Sequence, residues 1–223
     1  MGTLYIVATP IGNLGDITFR AVEVLKSVDL VVCEDSRVTG KLLAHFDITK
    51  PMFVLNDFNE VSKASIVVEK LKGGQNVALV SDAGTPLVSD PGFKLVRLAV
   101  ESGIKIESIP GSSAAIAALT VSGLPTDKFL FVGYLSKKDG KRKEALEQIK
   151  KTKELIKSTV ILYESPYRVV KTLESIMDVF GDVDVCICRE LTKIHEEIKR
   201  GGVSELIEFF SKSSPKGEFT LLF

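Results

Sequence analysis

Short apolar runs alternate with helical stretches along the first half of this 223-residue chain, and that alternation decides the class of fold. Strands are predicted at Leu4–Ala8, Asp29–Cys33, Met52–Leu55, Val77–Val80 and Lys105–Ile109. Helical patterns lie between and after them, near Thr18–Ser27, Thr39–Phe46, Glu60–Lys72, Gly92–Glu101 and Ser112–Ser122. Several strands are almost continuously apolar, as happens when helices cover both faces of a sheet. The pattern predicts an α/β fold with a parallel, Rossmann-like N-terminal sheet and right-handed crossovers.

Gly123-Leu-Pro-Thr-Asp127 interrupts the alternation and reads as a linker. Strands follow at Phe129–Leu135, Val160–Glu164, Val183–Cys188, His195–Lys199 and Glu218–Phe223. Helices are predicted at Lys141–Lys157, Tyr167–Phe180 and Val203–Ser211. The expected organisation is an N-terminal α/β domain over residues 1–122, a linker over 123–127, and a C-terminal α/β domain with a mixed sheet over 128–223.

Charge narrows the function classes. Twenty-nine basic and 29 acidic residues cancel, which excludes a histone-like charge strategy and leaves local basic patches for any nucleic-acid contact. Cys33, Cys186 and Cys188 sit in apolar runs, an odd set that fits a reducing compartment better than a disulfide framework. No apolar run approaches the roughly 18–20 residues that span a bilayer, and the start lacks a signal-peptide pattern. A cytoplasmic protein with no membrane association is expected.

In open α/β sheets ligands bind beyond the carboxyl ends of the strands. Four polar clusters fall there. The first, Thr9-Pro-Ile-Gly-Asn-Leu-Gly-Asp16, resembles a phosphate loop without its spacing, because Pro10 has no amide hydrogen to donate. The second is Glu34-Asp35-Ser36-Arg37. A carboxylate there could deprotonate an acceptor while Arg37 holds a phosphate. Equally, Asp35 or Ser36 could cap the next helix while Glu34 pairs with Arg37. The third cluster is Ser81-Asp-Ala-Gly-Thr-Pro86, where Gly84 permits close backbone approach and Asp82 offers a carboxylate to a hydroxyl or ammonium group. Asp90 reads as a helix cap. The fourth, Pro110-Gly-Ser-Ser-Ala114, places Ser112 and Ser113 at a helix start, suited to an anion or to plain capping.

Two further strand ends carry Tyr163-Glu-Ser-Pro-Tyr-Arg168 and Arg189-Glu-Leu-Thr-Lys193. The tyrosines could stack on a base and Arg168 or Lys193 could meet a phosphate. Core packing and exposed ion pairs are the bland alternatives. Cys186 and Cys188 lack further ligands at metal spacing and read as core, so no metal is expected. His45 and His195 have no partner in sequence; the first reads as a helix end, the second as a solvated strand position. Lys137 to Lys153 holds eight basic and three acidic residues, net +5 in a neutral chain. It is read as a solvated helix face with apolar side Ala145, Ile149 and Ile156, or as a phosphate-binding arm of a site-specific RNA binder.

In this order, TPIGNLGD, CEDSR, SDAGTPLVSDPG, PGSSA, FxGYL, YESPYR and RELTK resemble the bacterial ribosomal RNA small subunit methyltransferase I family. The resemblance runs from Leu4 to the end of the chain. It implies a tetrapyrrole-methylase fold, with S-adenosyl-L-methionine in a cleft between two α/β domains, and a homodimer. It also implies 2′-O-methylation of a cytidine in the decoding region of 16S rRNA, within the small ribosomal subunit. Carried over by position, the cofactor residues are Pro10, Ile11, Asp82, Ala83, Gly84, Thr85, Ser112, Ser113, Ala114, Tyr163 and Glu164, with Arg189 to Leu191 and Gly217-Glu218 closing around the adenine. Family members continue past the last G-E-F strand with a helical segment, whereas this sequence ends at Phe223.

The expected chemistry is in-line attack of a ribose 2′-oxygen on an activated methyl, so alignment supplies much of the rate. A base must take the hydroxyl proton, and Glu34 or Asp35 is the candidate, with Arg37 beside them. Asn13, Asp16, Arg20, Lys137, Lys138, Lys141, Arg142, Arg168 and Lys193 are the candidate RNA contacts. Two rivals stay open: a methylase of precorrin or uroporphyrinogen, and a non-catalytic ribosome-binding protein with the same fold.

Overall fold

The computed structural model describes residues 1–212 and 216–223. They form two compact units, Met1–Ser113 and Ala114–Phe223. The division falls at Ser113/Ala114, ahead of the linker expected at 123–127.

The first unit contains β1 (Thr3–Val7), α1 (Phe19–Ser27), β2 (Leu30–Cys33), α2 (Ser36–His45), β3 (Met52–Val54), α3 (Glu60–Lys72), β4 (Val77–Leu79), α4 (Phe93–Glu101) and β5 (Lys105–Ile109). All five strands are parallel, in the order β3-β2-β4-β1-β5. Side chains alternate across a strand, and the two faces divide accordingly. Leu30, Val32, Val77 and Leu79 join Val67, Leu71, Leu95 and Ala99 of α3 and α4. Val31, Cys33, Ala78 and Val80 join Ala21, Leu25 and Leu43 of α1 and α2. That double burial is why these strands read as unbroken apolar runs.

Caps set the helix starts. Thr18 Oγ1 accepts from the Ala21 amide at the head of α1. Asp35 accepts from the Arg37 amide at 2.8 Å, so α2 begins at Ser36, three residues before the expected Thr39. Asp90 does not cap α4. Glu60, buried at the first position of α3, accepts instead from the amides of Gly92 (3.0 Å), Lys94 (2.7 Å) and Leu95 (3.4 Å). A carboxylate at a helix N-terminus meets unpaired amides and the positive end of the dipole together.

The second unit begins with α5 (Ala114–Ser122) and continues through β6 (Phe129–Tyr134), α6 (Asp139–Leu155), β7 (Thr159–Glu164), α7 (Val169–Phe180), β8 (Asp184–Arg189), β9 (Glu197–Gly202), α8 (Val203–Ser211) and β10 (Phe219–Leu222). Its sheet order is β6-β7-β10-β8-β9. β6 and β7 are parallel, while β10 runs antiparallel to β7 and β8, giving the mixed sheet expected. Helix α5 packs on β7, β8 and β10. Arg200 of β9 also donates to the carbonyls of Ser122, at 3.0 Å, and Val121. This packing places α5 in the second unit, although its sequence continues the alternation of the first. Strand β9 starts two residues later than expected, because it pairs with β8 from Arg189↔Glu197 to Asp184↔Gly202. His195 therefore lies in an exposed turn.

Candidate active site

The strand order places β1 and β4 side by side, while the chain leaves β1 toward β2 and leaves β4 toward β5. Such diverging exits open the crevice where α/β sheets take ligands. Here the strand-end loops are stitched together. Thr9 and Gly84 form an antiparallel bridge, with Thr9 N–H to Gly84 O at 2.9 Å and the reciprocal bond at 3.1 Å. The Thr9 hydroxyl donates to the Ser81 carbonyl at 3.2 Å. Thr85 Oγ1 donates to the Ser112 carbonyl at 3.0 Å, and Ser112 Oγ to the Asp16 carbonyl at 3.4 Å. The Asp35 amide donates to Asp82 Oδ1 at 3.1 Å. Pro10, Ile11, Asp82, Ala83, Gly84, Thr85, Ser112 and Ser113 are thus one constellation, and Asp35 and Asp82 join it to the end of β2.

Gly84 is required by geometry. Its φ is +82°, and a Cβ there would lie 3.2 Å from Ile11 Cγ2 and 3.6 Å from the Ser112 carbonyl oxygen. The segment beyond it holds Leu87 and Ser89 at φ of 71° and 67°. Non-glycine residues in this region store strain, which accumulates at functional loops.

An open cavity of about 380 Å³ lies at the ends of β2, β3 and β4, lined by Glu34, Asp35, Ser36, Val54, Asn56, Asp57, Phe58 and Asp82. The Asn56–Asn59 loop is a fifth strand-end cluster. The signal for it is a polar N-D-F-N run between a strand and a helix, the same pattern as the other four. Burial raises the Glu34 carboxyl above its usual value, with Asp82, Asp90 and Asp57 adding in the same direction. Asp82 is also raised, chiefly by burial, against the pull of the Asp35 amide. Burial likewise lifts Asp90 to about 6, so a residue expected only to cap a helix belongs to this acidic group. Asp35 behaves oppositely. Its bidentate hydrogen bonds with Arg37 (Nη2–Oδ2 2.5 Å) lower it to about 2, which makes it a poor proton acceptor at neutral pH. The sequence left Glu34 and Asp35 equal; the structure separates them.

A family model for tetrapyrrole (corrin/porphyrin) methylases matches residues 3–207. The chain belongs to that family. It is 48% identical over its full length to the ribosomal RNA small subunit methyltransferase I of Synechocystis sp. (strain PCC 6803), covering 78% of that protein. Identity to the Vibrio cholerae protein of the same name is 50% over 98% of this chain and 76% of the relative. Among solved structures, the fold matches a cobalt precorrin-4 methyltransferase from cobalamin biosynthesis with a TM-score of 0.74 at 20% identity, over 99% of this chain and 93% of that one. It matches diphthine synthase with a TM-score of 0.72 at 15% identity, over 100% of this chain and 90% of that one.

In this member of the family, the second-unit residues singled out by sequence divide into joined and diverted groups. The 189–193 and 216–218 turns do come together. The Glu190 amide donates to the Glu218 carbonyl at 3.0 Å, and Lys193 Nζ lies 2.8 Å from both Glu190 Oε1 and Glu218 Oε2. Leu191 is buried beside them. Lys193 is therefore paired rather than free for phosphate. Tyr163 packs edge-on to Phe131 at 5.0 Å and against Tyr134 at 5.9 Å.

Glu164 is 1% exposed and wholly engaged. It accepts from the Ser165 amide (2.8 Å), Thr172 Oγ1 (2.6 Å) and Arg168 Nη2 (3.1 Å), and Arg168 also donates to the Leu135 carbonyl at 2.6 Å. The Glu164–Arg168 pair braces β7 against α7, so both groups are engaged within the second unit. Arg142 needs the same correction, being 5% exposed, with bonds to Ser175 Oγ (2.9 Å) and Asp139 (2.6 Å). It packs inward with Leu146 and Ile149, whereas Ile156 is exposed. Lys137, Lys138 and Lys141 remain exposed, as does Arg20 on α1. Asn13 and Asp16 are exposed in the 3-10 turn after β1, where the Asn13 side chain accepts from Gly15 N–H. Among the described residues, no group of three or more His, Cys, Asp or Glu could hold a metal ion, and no helix is long and apolar enough to cross a membrane.

Proposed function

We propose that this protein transfers a methyl group from S-adenosyl-L-methionine to the 2′-oxygen of a cytidine in the RNA of the small ribosomal subunit, with Glu34 as the base. The observation that carries the chemistry is the pairing of Glu34, on the β2 exit, with Asp82, on the β4 exit, in one acidic cavity. Near-half identity over the whole chain to relatives named for rRNA methylation supports the substrate class.

The residues present fit the cofactor. Glu34, Asp57 and Asp82 give the cavity a negative field that suits a sulfonium and an ammonium cation. Pro10, Ile11, Asp82, Ala83, Gly84, Thr85, Ser112 and Ser113 would hold it, because the Thr9–Gly84 bridge and the Thr85–Ser112 bond gather these strand-end loops beside the Asp82 carboxylate. Bound S-adenosylmethionine supplies an electrophilic methyl carbon on a positively charged sulfur. The protein has to align the acceptor oxygen and remove its proton. Glu34, whose affinity for a proton is raised by burial, takes that proton on a carboxylate oxygen as the oxygen–carbon bond forms and the methyl–sulfur bond breaks, with S-adenosylhomocysteine as the leaving group. Asp35, locked by Arg37, keeps its charge and holds the start of α2. Exposed Lys137, Lys138 and Lys141 bind phosphates, and the active species is a cytoplasmic homodimer.

The test is transfer of tritiated methyl to small-subunit particles from a strain lacking the modification. Label on a ribose of the rRNA is expected. Label in a uroporphyrinogen or precorrin acceptor, or binding without transfer, would overturn the reading.

A further inference from the structure

Phe58 is 99% exposed, yet it lines the cavity that holds Glu34 and Asp82. An isolated exposed aromatic is unremarkable on a protein surface, so its placement has to carry the argument. The loop presenting it is braced on both sides. Asn56 N–H donates to Asn59 Oδ1 at 3.0 Å, and the amides of Asn59 and Glu60 donate back to the Asn56 carbonyl at 3.0 and 2.9 Å. Two residues further on, Glu60 is anchored into the start of α4. Lys63 of α3 donates to the Val54 carbonyl at 2.8 Å and ties the helix to the end of β3. The ring is held out by an ordered turn.

The strand order supplies the second half of the argument. Reading β5, β1, β4, β2, β3 along the sheet places Ser112, then Pro10 and Ile11, then Asp82, then Glu34, then Phe58. The cofactor positions occupy the first three exits. The proton acceptor sits on the fourth, and the aromatic on the fifth. Neighbouring strands are about 4.8 Å apart, a step of the same order as the separation between a nucleoside's base and its 2′-oxygen.

We propose that Phe58 is the stacking platform for the base of the acceptor nucleotide, and so sets the position of the 2′-oxygen against Glu34. The inference rests on the RNA-methylation reading above. Stacking on an aromatic face tolerates every base, so Phe58 holds the nucleotide without selecting cytosine. The phenyl ring has no polar handle, which makes shape and π-surface its whole contribution.

Steady-state methylation by the full chain, on the same small-subunit particles, tests this with Phe58→Ala, Phe58→Leu and Phe58→Trp. Phe58→Ala is expected to raise KM for the particle roughly tenfold, within the range that losing one base stack produces. The Kd for S-adenosylmethionine should stay within about twofold, and the thermal midpoint should not move, since an exposed ring contributes little packing. Phe58→Trp should restore KM and Phe58→Leu should not, because a leucine keeps apolar area but has no ring. Unchanged KM in Phe58→Ala overturns the proposal, as does rescue by leucine. Loss of S-adenosylmethionine binding in Phe58→Ala also overturns it, by assigning the ring to the cofactor. Absence of methyl transfer by the unmutated chain is a different result and fails the underlying reading itself.

Discussion

The backbone amide of Asp35 donates to Oδ1 of Asp82 across 3.1 Å, so the turn after β2 hangs on the turn after β4. Asp82 therefore has two separable properties, an acceptor for that amide and a negative charge in the cavity. Asp82→Asn keeps the first and removes the second. Titration calorimetry should show about tenfold weaker S-adenosylmethionine binding, typical of removing one charge-assisted hydrogen bond, with little change in unfolding. Asp82→Ala removes both and should add about 1 kcal/mol of destabilisation in a urea melt.

Glu34→Gln should lower kcat by roughly 10²- to 10⁴-fold, the usual worth of a positioned general base, while cofactor affinity falls far less. In the unmutated protein the rate should rise with pH through the raised Glu34 value and then level off. That rising limb should lie above the ordinary carboxylate range and vanish in Glu34→Gln. A pH–rate profile under single-turnover conditions reads both. Asp35→Asn should leave the limb in place, since Arg37 already keeps Asp35 ionised.

Asp90 makes a stability prediction of defined sign. Its folded value of about 6 lies above the ordinary 3.8, so the native state binds the proton more tightly than the unfolded chain does. Stability from this group is present at low pH and is lost as pH rises between those two values. Asp90→Asn should therefore raise the unfolding free energy at pH 8, by about 1 kcal/mol once solvent screening of a half-buried site is allowed for. Near pH 4 the gain should disappear. Thermal melts across that range check it.

The cap that Glu60 provides for α4 spans 32 residues of sequence to Gly92. Glu60→Ala would leave the Gly92, Lys94 and Leu95 amides without this partner in buried surroundings. A destabilisation of about 2–3 kcal/mol is expected from the missing charged hydrogen bonds, against about 1 kcal/mol for Glu60→Gln. Chemical denaturation distinguishes the two.

Within the basic run, exposed and buried residues should separate cleanly. Replacing Lys137, Lys138 and Lys141 together by alanine should weaken rRNA binding. It should also flatten the salt dependence, by up to roughly 0.7 log units for each phosphate left without its lysine. Arg142→Ala should act on stability instead, costing about 1–3 kcal/mol for the lost charged hydrogen bonds of a buried guanidinium to Ser175 and to the exposed Asp139. Filter binding at several salt concentrations, beside thermal melts, separates them.

Periodicity made most elements readable. Glu60–Lys72, Lys105–Ile109 and Val203–Ser211 sit where the pattern puts them, because each pairs a clear apolar period with a turn at its border. Caps shifted α2, and pairing with β8 shifted β9. The Asp35 cap is local and one of two readings of that residue, whereas the β8 pairing is set only in space. The strand-end rule found the Pro10, Asp82 and Ser112 clusters because small and polar residues after an apolar run are visible in one dimension. Asp90 escapes such a reading because a Ser-Asp-Pro-Gly run looks like a cap whether or not a distant glutamate already fills that role. Glu164, Arg168 and Arg142 escape it for a related reason: a charged residue beside a strand end or on a lysine-rich helix carries no mark of burial.

The sequence by itself determined the class of fold, the parallel first sheet and mixed second sheet, and the strand-end loops around which a methyl donor would be held. These follow from residue periodicity, apolar runs and turn residues, which act over a few positions. The resemblance of ordered motifs added the family. Tertiary structure decided which carboxylate can take a proton. Glu34 gains that property from burial and from Asp82, Asp90 and Asp57, while Asp35 loses it to Arg37. A pKa is set by the charges and the solvent around a group in space, and only the folded chain brings residues 34, 57, 82 and 90 together.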